Sequence, residues 1–185
     1  MNKFLGIAML AASIVTGSSA FGRSIQRSQV LAEYTINLPA TSEQGLDFGL
    51  LTLKDDRTLT IKRVRYTFGS FYSQVLGTKK VTLSKAAMDH VVYRMIANLS
   101  TAEVKEVRQD FVCMMMPMPG PGRALTIRRG FDYESRQFRG ALETVNDNTG
   151  CWSPVHINFA NDYDQTVADQ LETALEVLAL QNIGS

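Results

Sequence analysis

The chain has 185 residues, 45% of them hydrophobic and 20% charged, with 19 basic residues against 18 acidic ones. Such content can bury a core and excludes a disordered polypeptide. The near-zero net charge excludes a dedicated nucleic-acid binder, whose affinity rests on an excess of Lys and Arg.

The first twenty residues read as a cleaved secretion signal. Lys3 gives the positive start, Phe4 to Val15 an uncharged apolar run, and Ser18 and Ala20 the small residues that a signal peptidase requires. The run of about twelve residues is shorter than the roughly twenty a membrane-spanning helix needs. Removing Lys3 with the leader leaves 18 basic residues against the 18 acidic ones. The expectation is one exported domain over residues 21–185, periplasmic or secreted, with no transmembrane segment in the mature chain and residues 21–28 as a loose arm.

Val30 to Leu38 reads as a strand ended by Pro39. Alternating apolar residues then mark Leu46 to Leu53 and Thr58 to Phe68, joined by the turn Lys54-Asp55-Asp56-Arg57. In the second of these runs the alternation changes phase at Lys62-Arg63, as a β-bulge would make it do. Val75 to Leu83 is a further strand. Ser84 caps a helix to about Leu99, with Met88, Val91, Val92, Met95, Ile96 and Leu99 on one face. Ser100 to Glu103 has the form of a capping box for a short second helix, although a strand near Val107 fits as well. Phe111 to Met116 reads as a strand leading into the loop Pro117 to Gly122. Strand-like runs resume at Ala124 to Arg129, Gln137 to Val145 and Val155 to Phe159, with a turn at Asn146 to Gly150. A helix from Tyr163 to Gln181, started by Asp162 and Gln165, closes the chain. The fold class predicted is α+β: a mainly antiparallel sheet with two principal helices, at about 84–99 and 163–181, packed on it.

Cys113 and Cys151 are the only cysteines. An exported domain with an even pair predicts a disulfide, stabilising by roughly 4 kcal/mol for a loop of about 39 residues. Beside Cys113, the residues Met114, Met116 and Met118 would share one side of a strand. They could supply thioether ligands to copper(I), fill the core, or, with Met116 and Met118 on the proline-glycine loop, meet a partner. Trp152 next to Cys151 can pack over the bridge or stack on a ligand. Arg123, Arg128, Arg129, Arg136 and Arg139 lie among Phe131, Tyr133 and Phe138. If they converge they can hold a phosphate, a carboxylate or an anionic glycan, and Arg57, Lys62, Arg63 and Arg65 could extend the patch. Otherwise they are a solvated strand face.

The chain has no Gly-x-Ser-x-Gly elbow and no His-Glu-x-x-His helix. His156 is the one candidate general base, with Asp162 or Asp164 to orient it, which makes a small extracytoplasmic hydrolase the alternative reading. The reading that uses most of these features is an exported non-enzymatic binding or accessory domain. It would contact a protein partner or an envelope component and need no cofactor.

Overall fold

The computed structural model describes residues 28–39, 45–67, 73–108, 123–148 and 155–183. Six antiparallel strands form one sheet in the order β4-β3-β2-β1-β6-β9. They are β1 (Val30–Leu38), β2 (Gly45–Lys54), β3 (Thr58–Thr67), β4 (Ser73–Thr82), β6 (Arg123–Arg128) and β9 (Leu142–Asn148). Two small ladders accompany it, β5 (Val104–Arg108) with β10 (Val155–Phe159) and β7 (Phe131–Asp132) with β8 (Gln137–Phe138). Two helices pack on the sheet, one from Lys85 to Thr101 and one over Asp162–Ile183. The α+β architecture is as predicted.

Register explains which residues meet the helices. Ala32, Tyr34 and Ile36 lie opposite Leu53, Leu51 and Gly49, and on the other side Ala32 and Tyr34 lie opposite Ile127 and Leu125. These residues and Leu59 and Ile61 of β3 are buried against Met88, Val91, Val92, Ile96, Leu171 and Leu175 of the helices. Each leucine-sized side chain removed from water contributes about 2 kcal/mol, which makes this layer the main source of stability.

The phase change in β3 has another cause than a bulge in that strand. The β2–β3 register runs unbroken from Leu53↔Leu59 to Gly45↔Thr67. Val64 is buried on the face away from the helices, beside Phe48, while Arg63 and Arg65 turn toward the helix side and hold Asp47. The irregularity falls in the β3–β4 ladder, where Arg63 faces Gly77 and Val64 faces Val75, leaving Leu76 as the extra residue on β4.

Other local expectations are corrected as well. No short helix follows the first one, because Ser100 serves tertiary structure: its hydroxyl donates to the Ala97 carbonyl (2.6 Å) and accepts from the Phe131 amide (3.1 Å). The chain passes straight into β5. Asn146 is an inward strand residue opposite Leu125 rather than part of a turn. The run Gln137 to Val145 is divided into β8 and β9 at Gly140, where a Cβ would stand 2.6 Å from the Arg129 carbonyl oxygen. The C-terminal helix is capped one residue earlier than predicted, by Asn161, whose Oδ1 accepts from the Asp164 amide (2.8 Å). Among the described residues no helix is long and apolar enough to cross a membrane.

Candidate functional site

A cleft of about 640 Å³ opens between the β2–β3 turn, the first helix and the β7–β8 ribbon. A second, of about 800 Å³, continues along the same helix and shares Lys85, Asp89, Tyr93, Phe131 and Arg136 with the first. Each wall is built by an identifiable local device.

The β2–β3 turn has three loop residues, Asp55, Asp56 and Arg57, and the Asp56 carboxylate accepts from the Thr58 amide (2.9 Å). That hydrogen bond, with the Thr58 side chain contributing first, holds the Asp56 carboxyl below its ordinary range. In loops of this length the last residue is left-handed, a position that glycine usually fills. Here it is Arg57, with φ 68°. Its amide donates to the Lys54 carbonyl (3.1 Å) and its carbonyl accepts from the Leu83 amide (2.9 Å). The backbone is therefore fixed from both sides, and Arg57 lines the cleft.

The β7–β8 ribbon repeats the device. Asp132 accepts from the amides of Glu134 (3.0 Å) and Ser135 (3.3 Å), and Arg136, the last loop residue, has φ 53°. The bonds to Ser135 and Glu134 hold the Asp132 carboxyl below its ordinary range. The ribbon is seated by the end of the first helix, whose last carbonyls it caps. Arg129 Nη1 donates to the Leu99 carbonyl (2.5 Å) and Nη2 to that of Ala102, while the Gly130 amide donates to Ser100 (3.0 Å). Gly130 has φ 69°, which turns Phe131 inward.

The floor is aromatic. Phe131 meets Tyr93 edge-on at 5.9 Å between ring centroids, Tyr133 at 4.9 Å and Phe138 at 4.7 Å. Phe131 and Phe138 are buried, whereas Tyr93 and Tyr133 are 43% and 60% exposed. Tyr93 sits on Val92–Ile96, where the helix widens to a π turn and the Ala97 amide bonds back to Val92. π turns inserted in α-helices recur at functional sites.

The five arginines singled out in the sequence do not converge. Arg123 pairs with Glu176 (3.5 Å), and Arg128 donates to the carbonyls of Val30 (2.6 Å) and Gly140 (3.0 Å). Arg129 adds Glu143 (3.0 Å) to its helix carbonyls, and Arg139 binds Asp132 (2.6 Å). Only Arg136 has no hydrogen bond or ion pair among the described residues. Of the extension, Arg63 and Arg65 are committed to Asp47 at 2.9 and 2.7 Å, and Lys62 is exposed on the opposite sheet face. Arg57 alone joins Arg136. Lys85, which sequence reasoning passed over, is the third cation on the cleft and likewise lacks a partner among the described residues. The signal that could have found the site was arginine at the end of two tight turns, where glycine or asparagine is usual.

A second polar cluster lies inside the fold. Glu172 on the C-terminal helix accepts from Tyr34 Oη (3.0 Å) and Asn146 Nδ2 (2.5 Å) and is buried. Burial pushes the Glu172 carboxyl above its ordinary value, outweighing those two hydrogen bonds, and burial with the Glu172 charge pushes the Tyr34 hydroxyl upward. This cluster ties the helix to β1 and β9.

His156 lies on β10 opposite Val107 of β5. Asp164, one of the two acids suggested to orient it, accepts from Asn161 Nδ2 at 2.6 Å, and the His156 side chain lies outside what the structure describes. Cys113, Cys151, Met114, Met116, Met118 and Trp152 lie outside the described residues, as does the leader. Among the described residues no group of three His, Cys, Asp or Glu side chains could hold a metal ion. No protein-family model matches the chain, no curated protein matches its sequence, and no solved structure matches its fold.

Proposed function

We propose that this chain is an exported, non-enzymatic binding domain that contacts a protein partner or an envelope component, and that the cleft around Phe131 is its contact surface. One coincidence carries the reading. Among the described residues, the two non-glycine residues with positive φ, Arg57 and Arg136, and the π turn bearing Tyr93 line one cleft. A left-handed arginine costs roughly 1 kcal/mol, and strain of this kind persists where a site requires it. The strained residues offer a ligand guanidiniums that have no partner among the described residues.

Export and the Cys113–Cys151 bridge belong to the same proposal. Arg108, at the end of β5, lies opposite Val155 at the start of β10, and Arg123 lies opposite Asn148. The two connections that carry the cysteines, 109–122 and 149–154, thus run between the same pairs of strand ends. That supports a bridge between them. A Cys151→Ser variant should lose roughly 4 kcal/mol by denaturant unfolding; stability equal to that of the unaltered protein would contradict the bridge.

Capture from an envelope extract tests the contact surface. A cross-linked species retained by the unaltered protein should be lost from an Arg57→Ala/Arg136→Ala variant. Capture that survives that change but disappears when Pro117 to Gly122 are deleted would move the contact to the methionine-proline loop.

A further inference from the structure

We propose that the ligand of this cleft is an acidic saccharide, a chain of pyranose rings carrying isolated carboxylates; this rests on the reading of the cleft as the binding surface. Charge balance gives the first argument. The cations Arg57, Lys85 and Arg136 face the acids Asp55, Asp56 and Asp89 in the same cleft. Their charges cancel, so a densely anionic peptide or polyphosphate meets as much repulsion as attraction. A ligand with widely spaced charges over a polar, uncharged body fits the balance.

The state of the acids gives the second. Asp55 accepts from the Gln29 amide (2.9 Å) and Asp56 from the Thr58 amide (2.9 Å), which fixes both carboxylates while leaving them further acceptor capacity. The Asp89 carboxylate has no hydrogen bond or ion pair among the described residues. Ionised carboxylates accept from hydroxyl groups, and vicinal sugar hydroxyls supply such donors in pairs. A peptide backbone supplies far fewer. Guanidiniums in turn take a carboxylate through two parallel hydrogen bonds, which suits Arg57 and Arg136 to a uronic acid.

The aromatic floor points the same way. Tyr93 lines this cleft and stands edge-on to Phe131, which locks its ring while leaving much of it exposed; Tyr133, also edge-on to Phe131, lines the adjoining cleft and donates its hydroxyl to Asn98 Oδ1 (3.0 Å). A rigid, half-exposed ring with a polar tip, as at Tyr93, offers an apolar face to the C–H side of a sugar and a hydroxyl to its rim. The cleft volume of about 640 Å³ lies in the range of small-ligand sites and holds a short oligosaccharide rather than a folded partner.

The test is an NMR titration of the whole protein with tetragalacturonate, with cellotetraose as the neutral saccharide and poly-L-glutamate as the polyanion. Tetragalacturonate should shift the amides of Tyr93, Phe131 and Arg136 saturably and bind about tenfold more tightly than cellotetraose, the worth of one charge-assisted pair. Arg136→Ala should erase that tenfold difference, while Tyr93→Ala should weaken both saccharides alike. Poly-L-glutamate binding tightest, or no saccharide shift at these residues, overturns the inference. If the envelope extract is still captured through Arg57 and Arg136 in that event, the cleft reading stands without it. If neither saccharide nor extract engages the cleft, both fall.

Discussion

The interior of this protein and its cleft treat charge in opposite ways. Among the described residues, the ionisable groups drawn inward are surrounded: Asp47, with no side-chain exposure, receives Arg63 and Arg65, Glu172 receives Tyr34 and Asn146, and the part-buried Arg129 is shared by the Leu99 and Ala102 carbonyls and Glu143. In the cleft, Arg57, Lys85 and Arg136 have no partner among the described residues, and two of them stand on strained backbone. The difference separates arginines that hold the fold from arginines that the fold holds up.

Substitution can break that contrast, and Asp47 offers the largest effect. Asp47→Ala leaves the half-buried guanidiniums of Arg63 and Arg65 side by side on one face of β3 without their shared carboxylate, and should cost about 3 kcal/mol, the usual penalty for breaking a buried pair. Chemical denaturation of the variant measures it. A loss under 1 kcal/mol would mean that the arginines relax into solvent.

Arg129→Ala should cost about 2 kcal/mol, because it removes the donor to the Ala102 carbonyl, one of the two donors to the Leu99 carbonyl, and the partner of Glu143. Arg136→Ala, seven residues on, should stay within about 0.5 kcal/mol of the unaltered protein. Equal losses for the two would erase the distinction drawn between them.

Glu172 sharpens the contrast through pH. Its folded-state pKa is raised by burial, so the neutral acid is the form the fold favours. The stabilisation it contributes is complete below the unfolded-state value of about 4.3 and is lost as pH rises through the folded-state value. The melting temperature of the protein relative to Glu172→Gln should therefore fall between pH 4.5 and pH 7.5. A rise over that interval would show that Tyr34 and Asn146 favour the carboxylate more than burial opposes it.

Much of this architecture was legible in the sequence. Both helices, the first strands and the α+β class follow from apolar spacing, because one covered sheet face imposes period two and a packed helix imposes its own period. The reading failed where side chains served distant partners. Arg63 and Arg65 occupy positions that a simple pattern reserves for apolar residues, since Asp47 waits there, and the resulting phase change imitates a bulge. Ser100 and Asn146 look like turn and cap residues, and only the third dimension shows Phe131 and Glu172 beside them. The cleft was half legible. Its arginines stood out by density, but density includes Arg123, Arg128, Arg129 and Arg139, which the fold consumes. Lys85 carries no sequence signal at all.

The most direct test of the central claim is the unfolding free energy of an Arg57→Gly/Arg136→Gly variant, measured beside its capture of the envelope species. Relief of two left-handed arginines, partly offset by the greater freedom of glycine in the unfolded chain, predicts stability unchanged or raised by up to about 1 kcal/mol, with capture abolished. A loss of stability of more than about 1 kcal/mol with capture intact would assign these arginines to the fold and remove the cleft as the site.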